Sequence, residues 1–262
     1  MMWRKIIPNL FTLAALVCAV LSIINAAEGE FIISAQLIML CLVFDGLDGN
    51  VARWVRGSTS FGADLDTFVD VIGYGVAPAM LAYELVMKDH GILGLAFVCF
   101  TVMSGAMRLA RFRVADPFRG QRGFLGLPIT VNAGWVAMLV FITQSGMVRD
   151  DIFGSLSLYA GPFAALVWTL STVFLVLQVS TLHYAKPTKA PLFFIAGIAM
   201  VMMLFLQGGV ALISALAMCA YGIFYALVSP FLPRHEALVE ENAAAVIPAD
   251  EEDEEAEDFG PF

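Results

Sequence analysis

The feature of this chain that most clearly points to chemistry is a spaced array of aspartates in an apolar sequence. Asp45, Asp48, Asp66 and Asp70 stand in the pattern D-x-x-D-G-x-x-A-R, then eight residues, then G-x-x-x-D-x-x-x-D. A charged side chain within a membrane segment costs roughly 2.5–3.5 kcal/mol on insertion scales. Four carboxylates in such a setting need a bound cation to compensate them.

The spacing of the aspartates predicts that they face one another on two neighbouring helices. Asp45 and Asp48 are three residues apart, and Asp66 and Asp70 are four apart, so each pair shares one helix face. Four carboxylate donors suit Mg²⁺, Mn²⁺ or Ca²⁺ better than zinc, which prefers His or Cys, and no His lies near this segment. We therefore expect a site for a hard divalent cation.

The small and basic residues of the array are consistent with a phosphate-containing ligand. Gly49 and Ala52 would leave a groove beside the carboxylates where a diphosphate can approach the backbone, and Arg53 supplies a matching cation. Small residues also serve simply to let membrane helices pack closely. Their position among four aspartates favours the ligand-binding interpretation.

This array resembles the signature of the CDP-alcohol phosphotransferases, membrane enzymes that transfer a phosphatidyl-type group from a cytidine diphosphate donor to an alcohol. Every fixed position of that pattern is present, and the resemblance spans about residues 4–190. Within the family, four flanking segments are similar to those of the bacterial phosphatidylserine synthases: DVIGYGVAPA at 70–79, MRLARFRV at 107–114, GFLGLPI at 123–129 and QVSTLHYAKPTK at 178–189.

The resemblance implies a role for each residue of the array. Asp45 and Asp66 would bridge two metal ions, Mg²⁺ or Mn²⁺, while Asp48 would hold the first ion. Asp70 would hold the second ion and act as the general base that deprotonates the acceptor. Residues implied to bind the CDP donor are Gly49, Ala52, Arg53, Thr59, Gly62, Asn9 and Thr12. Asn9 and Thr12 are also explained as cap or packing groups near a helix start.

A second group of cations is a candidate for binding the acceptor or a phosphate. Arg108 and Arg111 recur at i, i+3 in an apolar segment, so at least one can face an interior cavity. The alternative is that these arginines only keep the following loop on the cytoplasmic side of the membrane. Lys186 and Lys189 are the cations of the 182–189 loop. Asp64 lies off the Asp66 and Asp70 face and is expected to be a solvated charge.

Composition identifies a polytopic membrane protein. The 262 residues are 60% hydrophobic with a mean hydropathy of +0.84, above the 45–50% apolar content typical of soluble domains. Residues 236–258 contribute 11 of the 23 acidic residues, so the charge of −9 belongs to the tail and the membrane body is mildly basic. The four cysteines lack the spacing of a disulfide framework or a zinc site, and no nucleic-acid-binding surface is indicated.

We predict an all-α fold of eight transmembrane spans, near 8–27, 31–55, 62–87, 91–112, 126–148, 152–181, 190–207 and 210–229. The last two require a turn at residues 207–209. The expected organisation is an interfacial helix at 1–7, a six-span catalytic core at 8–189, an additional hairpin at 190–232 and an acidic disordered tail at 233–262. No cleavable signal peptide is indicated.

Twelve of the 14 Lys and Arg residues fall on the side of the membrane that holds the aspartates and both termini. The positive-inside rule places that side in the cytoplasm. With the resemblance, this implies an inner-membrane enzyme of bacteria, working as a homodimer.

The predicted reaction is CDP-diacylglycerol plus L-serine giving phosphatidylserine and CMP. Glycerol 3-phosphate, inositol phosphate and choline remain alternative acceptors, because the array handles the donor and the transfer. An ion transporter with intramembrane aspartates is an alternative from another class. Its carboxylates would lie near the bilayer midplane, whereas these cluster around a cytoplasmic turn.

Overall fold

The structure is a computed structural model that describes residues 3–55, 57, 59–115, 124–145, 158–159, 161–184, 191–206 and 208–231. These residues are overwhelmingly helical, which confirms the predicted all-α class. In chain order the α-helices are α1 (Trp3–Ala27), α2 (Phe31–Val55), α3 (Ser60–Asp70), α4 (Ala77–Leu85), α5 (Gly91–Ala115), α6 (Ile129–Gln144), α7 (Pro162–Val179), α8 (Pro191–Met203) and α9 (Gly209–Leu227). Short 3₁₀ turns occupy Met87–His90 and Ser229–Phe231.

The helices account for the predicted membrane spans. Among the described residues, six segments are long and apolar enough to cross a bilayer: Ile6–Ala27, Phe31–Val55, Ser60–Leu85, Met87–Val114, Pro162–Val179 and Gly209–Leu227. The two remaining predicted spans correspond to shorter apolar helices, at Ile129–Gln144 and Phe194–Met203. The polytopic membrane architecture is therefore confirmed.

The N-terminal helix differs in one detail from its prediction. Residues 3–7 are helical, but they continue into the first span without a break at Pro8. A proline near a helix N-terminus removes only one backbone hydrogen bond, so the helix passes through it. The position of residues 1–7 at the membrane surface stays a prediction.

Helices α1 and α2 pack as an antiparallel pair that forms the foundation of the site. Ala15, Ala19 and Ala35 are fully buried, and such small side chains let membrane helices approach closely. The Ser22 hydroxyl lies 2.9 Å from that of Ser34 and 3.0 Å from its carbonyl oxygen. These contacts fix one helix against the other.

The third span changes its helical form immediately after the second aspartate pair. Helix α3 begins at Ser60 and is capped by Thr59, whose hydroxyl accepts the Gly62 N–H at 3.0 Å. It ends at Asp70, where a π-helical segment, Val71–Val76, leads into α4. A π-helical turn is wider than an α-helical one and is common at functional sites. It carries Tyr74 into the protein interior.

A short backbone connection fixes the end of α7 against the start of α6. Strands β1 (Phe124–Leu125) and β2 (His183–Tyr184) pair antiparallel, and the Gly126 N–H donates to the Leu182 carbonyl oxygen at 2.8 Å. Gly126 has φ +73°, and a β-carbon on it would lie 2.4 Å from the Gln178 carbonyl oxygen. Only glycine therefore fits this junction, which the sequence marks as GLP.

The last two described helices, α8 and α9, are separated by a short break. Helix α8 ends at Met203, and α9 starts at Gly209 after Gly208, which has φ +83°. The Ser214 hydroxyl of α9 donates to the Met200 carbonyl oxygen at 2.7 Å and joins the two helices. The predicted turn in this apolar run is confirmed.

Candidate active site

The aspartates of the two helices meet in space. A carboxylate oxygen of Asp45, one of Asp48 and one of Asp66 all lie within 4.8 Å of one another. Asp70 lies outside this group of three, but its carboxyl neighbours that of Asp45. Helix α2 thus supplies one pair and α3 the other, as the i, i+3 and i, i+4 spacings predict.

The residues present fit a divalent cation. Three carboxylates this close repel one another unless positive charge lies between them. All the donors of the group are hard oxygens, the set that Mg²⁺, Mn²⁺ and Ca²⁺ prefer. Asp48 is only 7% exposed, so water alone compensates its charge poorly. The arrangement supports a metal site, and it does not by itself select the metal.

The first helix contributes directly to this group. Thr12 is 3% exposed, and its hydroxyl donates to Asp48 Oδ2 at 2.6 Å. The second oxygen near the hydroxyl, the Pro8 carbonyl, is farther away at 3.3 Å. A hydrogen bond from a neighbour fixes the orientation of a metal-binding side chain. Thr12, predicted to bind the donor, is here a partner of a carboxylate.

The predicted donor residues lie near the start of α1, the end of α2 and the start of α3. A β-carbon on Gly62 would lie 2.9 Å from Asn9 Oδ1 and 3.1 Å from Thr59 Oγ1, so the three residues are in close contact. The absence of a side chain at Gly62 lets α3 approach α1 next to the aspartates. Asn9 and Thr59 are both partly exposed, as a site open to a ligand requires.

On α2 the residues next to the aspartates leave room. The nearest atom to a β-carbon placed on Gly49 would be Arg53 Nη1, at 4.0 Å, and Ala52 is half-buried. The exposed Arg53 guanidinium donates to Asn50 Oδ1 at 2.9 Å. Arg53 is therefore available to a phosphate at the surface. The donor-binding role of all these residues stays a prediction.

The two arginines of the MRLARF segment have different surroundings. Arg108 is 6% exposed, its guanidinium carbon lies 5.8 Å from the centre of the Phe124 ring, and its charge attracts Asp70. Arg111 instead donates to the Val179 and Ser180 carbonyl oxygens, at 2.9 and 2.6 Å. Arg108 thus faces the aspartates, while Arg111 holds the end of α7.

Other charged residues also have defined places. Asp64 is exposed, as predicted, and it pairs with Arg113. Arg113 further donates to the Ala63 carbonyl oxygen at 3.0 Å and to Thr67 Oγ1 at 3.1 Å, which links α5 to α3. Lys186 and Lys189 lie outside the described residues, so their acceptor-binding role stays a prediction.

Two buried polar residues beside the site escaped the sequence analysis. Tyr74 is 1% exposed and follows Asp70 by four residues, and Gln178 is fully buried near the end of α7. Both stand in the quoted flanking segments, and each is a polar side chain in an apolar run. A polar group inside a membrane segment is the signal that identifies such residues.

Comparison with known proteins agrees with this geometry. The family model described as CDP-alcohol phosphatidyltransferase matches residues 5–165. A CDP-diacylglycerol–serine O-phosphatidyltransferase of Helicobacter pylori is 32% identical over 197 residues, covering 70% of this chain and 83% of the relative. A protein of the same name from Methanocaldococcus jannaschii is 39% identical over 113 residues, 43% of this chain and 53% of the relative.

A third relative, an archaetidylserine synthase of Methanothermobacter thermautotrophicus, is 35% identical over 129 residues, 48% of this chain and 54% of the relative. The family match covers α1 to α6 and the start of α7, and therefore includes all four aspartates. This integral membrane protein, with its aspartate array, therefore belongs to the CDP-alcohol phosphatidyltransferase family.

Proposed function

We propose that this protein transfers the phosphatidyl group of CDP-diacylglycerol to the hydroxyl of L-serine, giving phosphatidylserine and CMP. The observation that carries the proposal is the meeting of Asp45, Asp48 and Asp66 within 4.8 Å, in a chain of this family. The names of the relatives support serine as the acceptor. The aspartate cluster and the names of the relatives both support an enzyme of this family over an ion transporter.

In the proposed reaction, the serine hydroxyl oxygen attacks the phosphorus that carries diacylglycerol. A new O–P bond forms, the bond from that phosphorus to the bridging oxygen of the diphosphate breaks, and its electron pair leaves with CMP. The hydroxyl proton goes to Asp70. Asp70 Oδ1 is buried without a hydrogen-bond partner, so it has a free lone pair for this proton.

We assign metal binding to the four aspartates. Asp45 and Asp66 would bridge two divalent ions, Mg²⁺ or Mn²⁺, with Asp48 on the first and Asp70 on the second. When bound, such ions supply positive charge to the diphosphate oxygens and favour departure of CMP. Thr12 keeps Asp48 in the orientation that this requires, through its 2.6 Å hydrogen bond.

The donor and the acceptor would bind on different sides of the aspartates. Asn9, Thr59 and Gly62 at the ends of α1 and α3, with Arg53 at the surface, would contact the cytidine diphosphate. Arg108 would bind the serine carboxylate, since its buried guanidinium lies on the Asp70 side. Arg111 already donates hydrogen bonds to two backbone carbonyl oxygens, so we propose that it positions the end of α7.

The distribution of positive residues supports a cytoplasmic active site with both termini on the same side, in the inner membrane of a bacterium. A nucleotide-linked donor is available on that side. We also propose a homodimer, following the resemblance to the family.

The test uses the purified protein in detergent with labelled CDP-diacylglycerol and either Mg²⁺ or Mn²⁺. L-serine, glycerol 3-phosphate, inositol phosphate and choline are supplied one at a time. We expect CMP release and a phosphatidylserine product with L-serine alone, and none after chelation of the metal. CMP release with another alcohol and not with serine would reassign the acceptor. Turnover that survives complete chelation would contradict the role of the aspartates.

A further inference from the structure

Within the part of the chain that the structure describes, five buried polar side-chain atoms next to the site have no hydrogen-bond partner. They are Asp70 Oδ1, Tyr74 Oη, Arg108 Nε, and both Nε2 and Oε1 of Gln178. Gln178 has both polar atoms of its amide unpaired, and it is 0% exposed. Unpaired buried polar groups cost free energy and are rare, so their concentration in one region points to a ligand.

These atoms converge from three parts of the fold. Tyr74 lies one π-helical turn after Asp70, and Arg108 faces Asp70 from α5. Gln178 Nε2 lies 3.4 Å from where a β-carbon on Gly105 would be. Gly105 and Arg108 are three residues apart on α5, so they share a face with a rise of about 4.5 Å between them.

The Gln178 amide packs against α5 at Gly105, where a β-carbon would lie in van der Waals contact with Nε2. The Ile129 side chain fills the adjoining space, with Cδ1 2.6 Å from the same β-carbon position. The backbone at Gln178 is fixed as well, because its carbonyl oxygen contacts Gly126 and the Leu127 N–H donates to the Leu177 carbonyl oxygen at 3.0 Å. The fixed backbone thus holds the unpaired Gln178 amide beside the face of α5 that carries Gly105 and Arg108.

We propose that Gln178 is a specificity-determining residue that recognises the ammonium group of the amino-acid acceptor. This inference rests on the proposed function. Gln178 Oε1 accepts a hydrogen bond from the ammonium, Arg108 binds the carboxylate, and Asp70 takes the hydroxyl proton. Arg108 can only donate hydrogen bonds, and Asp70 is used by the hydroxyl. The Gln178 amide oxygen is uncharged, so it can accept a hydrogen bond from the ammonium without adding negative charge beside the four aspartates.

A substitution that removes only the amide tests this role. Gln178→Met keeps an unbranched side chain of similar length and removes both polar atoms. We compare kcat/KM for L-serine with kcat/KM for 3-hydroxypropionate, which has the same hydroxyl and carboxylate but no ammonium. We expect the variant to lose at least about tenfold for serine and less than about twofold for 3-hydroxypropionate. A site built for a hydrogen bond discriminates against ligands that cannot make it.

A stability measurement separates recognition from packing. The Gln178 amide has no partner in the fold, so Gln178→Met should leave the melting temperature in detergent unchanged or raise it. Gln36→Met is the matched control. Gln36 Nε2 donates to the Leu204 carbonyl oxygen at 2.7 Å, and Gln36 precedes Asp45 by nine residues, about 13.5 Å along α2. This control should lower the melting temperature and leave the ratio between the two acceptors unchanged.

The outcomes are distinct. Equal losses for both acceptors, or no loss for serine, overturn the role of Gln178, as does a lower melting temperature with an unchanged acceptor ratio. Gln178→Leu gives the same comparison if the Met variant does not fold. Failure of the unmodified protein to release CMP with serine would instead contradict the proposed function.

Discussion

Replacing Thr12 by valine should weaken metal binding without touching a carboxylate. The substitution keeps the β-branched shape and removes the hydroxyl that donates to Asp48 Oδ2 at 2.6 Å. A hydrogen bond to a charged group contributes about 1.5–3 kcal/mol. At 1.4 kcal/mol per tenfold change, this corresponds to about 10–150-fold. Loss of a partner that orients a metal ligand typically costs 10–100-fold in affinity or activity.

We therefore expect Thr12→Val to raise the half-saturating Mn²⁺ concentration about 10–100-fold. The assay follows CMP release during a Mn²⁺ titration at saturating CDP-diacylglycerol and serine, and free Mn²⁺ is measured in parallel by electron paramagnetic resonance. Restoring the hydroxyl in Thr12→Ser should return most of the affinity. The KM for serine should change little, because the acceptor side is untouched.

The matched control is Thr101→Val on α5. Thr101 is 4% exposed, and its hydroxyl donates only to the Phe97 carbonyl oxygen of its own helix, at 2.9 Å. Both variants lose one buried threonine hydroxyl, so they share any general effect on folding. The same Mn²⁺ dependence in both would refute the link between Thr12 and the metal site.

Asp70→Asn should abolish turnover and leave CDP-diacylglycerol binding, measured by competition, mostly intact; equal loss of both would assign Asp70 a structural role. Arg108→Ala should raise the KM for serine at least about tenfold, whereas Arg111→Ala should chiefly lower the melting temperature, because it removes two hydrogen bonds to α7. A serine KM that is unchanged in both variants would favour the alternative that the two arginines only keep the following loop on one side of the membrane. Gly126→Ala should lower the melting temperature by several degrees, since a β-carbon would lie 2.4 Å from the Gln178 carbonyl oxygen at φ +73°; a stability equal to that of the unmodified protein would show that the junction adapts.

The metal-binding half of the site is predictable because it depends on local geometry. Asp45 and Asp48 are one helical turn apart, and so are Asp66 and Asp70, so helix formation alone aligns each pair. An apolar sequence with regular breaks then predicts the membrane helices that carry them. Meeting of the two pairs follows once α2 and α3 are neighbours.

The acceptor half is not predictable in this way because its contacts join distant parts of the chain. Arg108 and Arg111 look equivalent in MRLARF, yet one faces Asp70 and the other binds carbonyl oxygens of α7. Their difference depends on the helix packing and not on their spacing. The π-helical form of Val71–Val76 cannot be predicted from the sequence for a similar reason, since hydropathy identifies this segment only as an apolar run.

Thr12 has one feature that the sequence predicts and one that depends on helix packing. The resemblance places it near the donor, and its position on the first span agrees with this. Its bond to Asp48 joins residues 36 positions apart and appears only when α1 and α2 are packed together. A short-range interpretation of a polar residue near a helix start, as a cap or packing group, misses this partner.

The placement of the aspartates in the second and third spans has a consequence for how such an enzyme can diversify. The aspartates and the residues proposed to bind the nucleotide-linked lipid lie within the first 70 residues, while Arg108 and Gln178, proposed to bind the acceptor, come from later helices. On this proposal, we expect mutations in those later helices to exchange one alcohol for another while the aspartates that support bond cleavage remain intact. A single ancestral design can in this way give rise to phospholipids with different head groups.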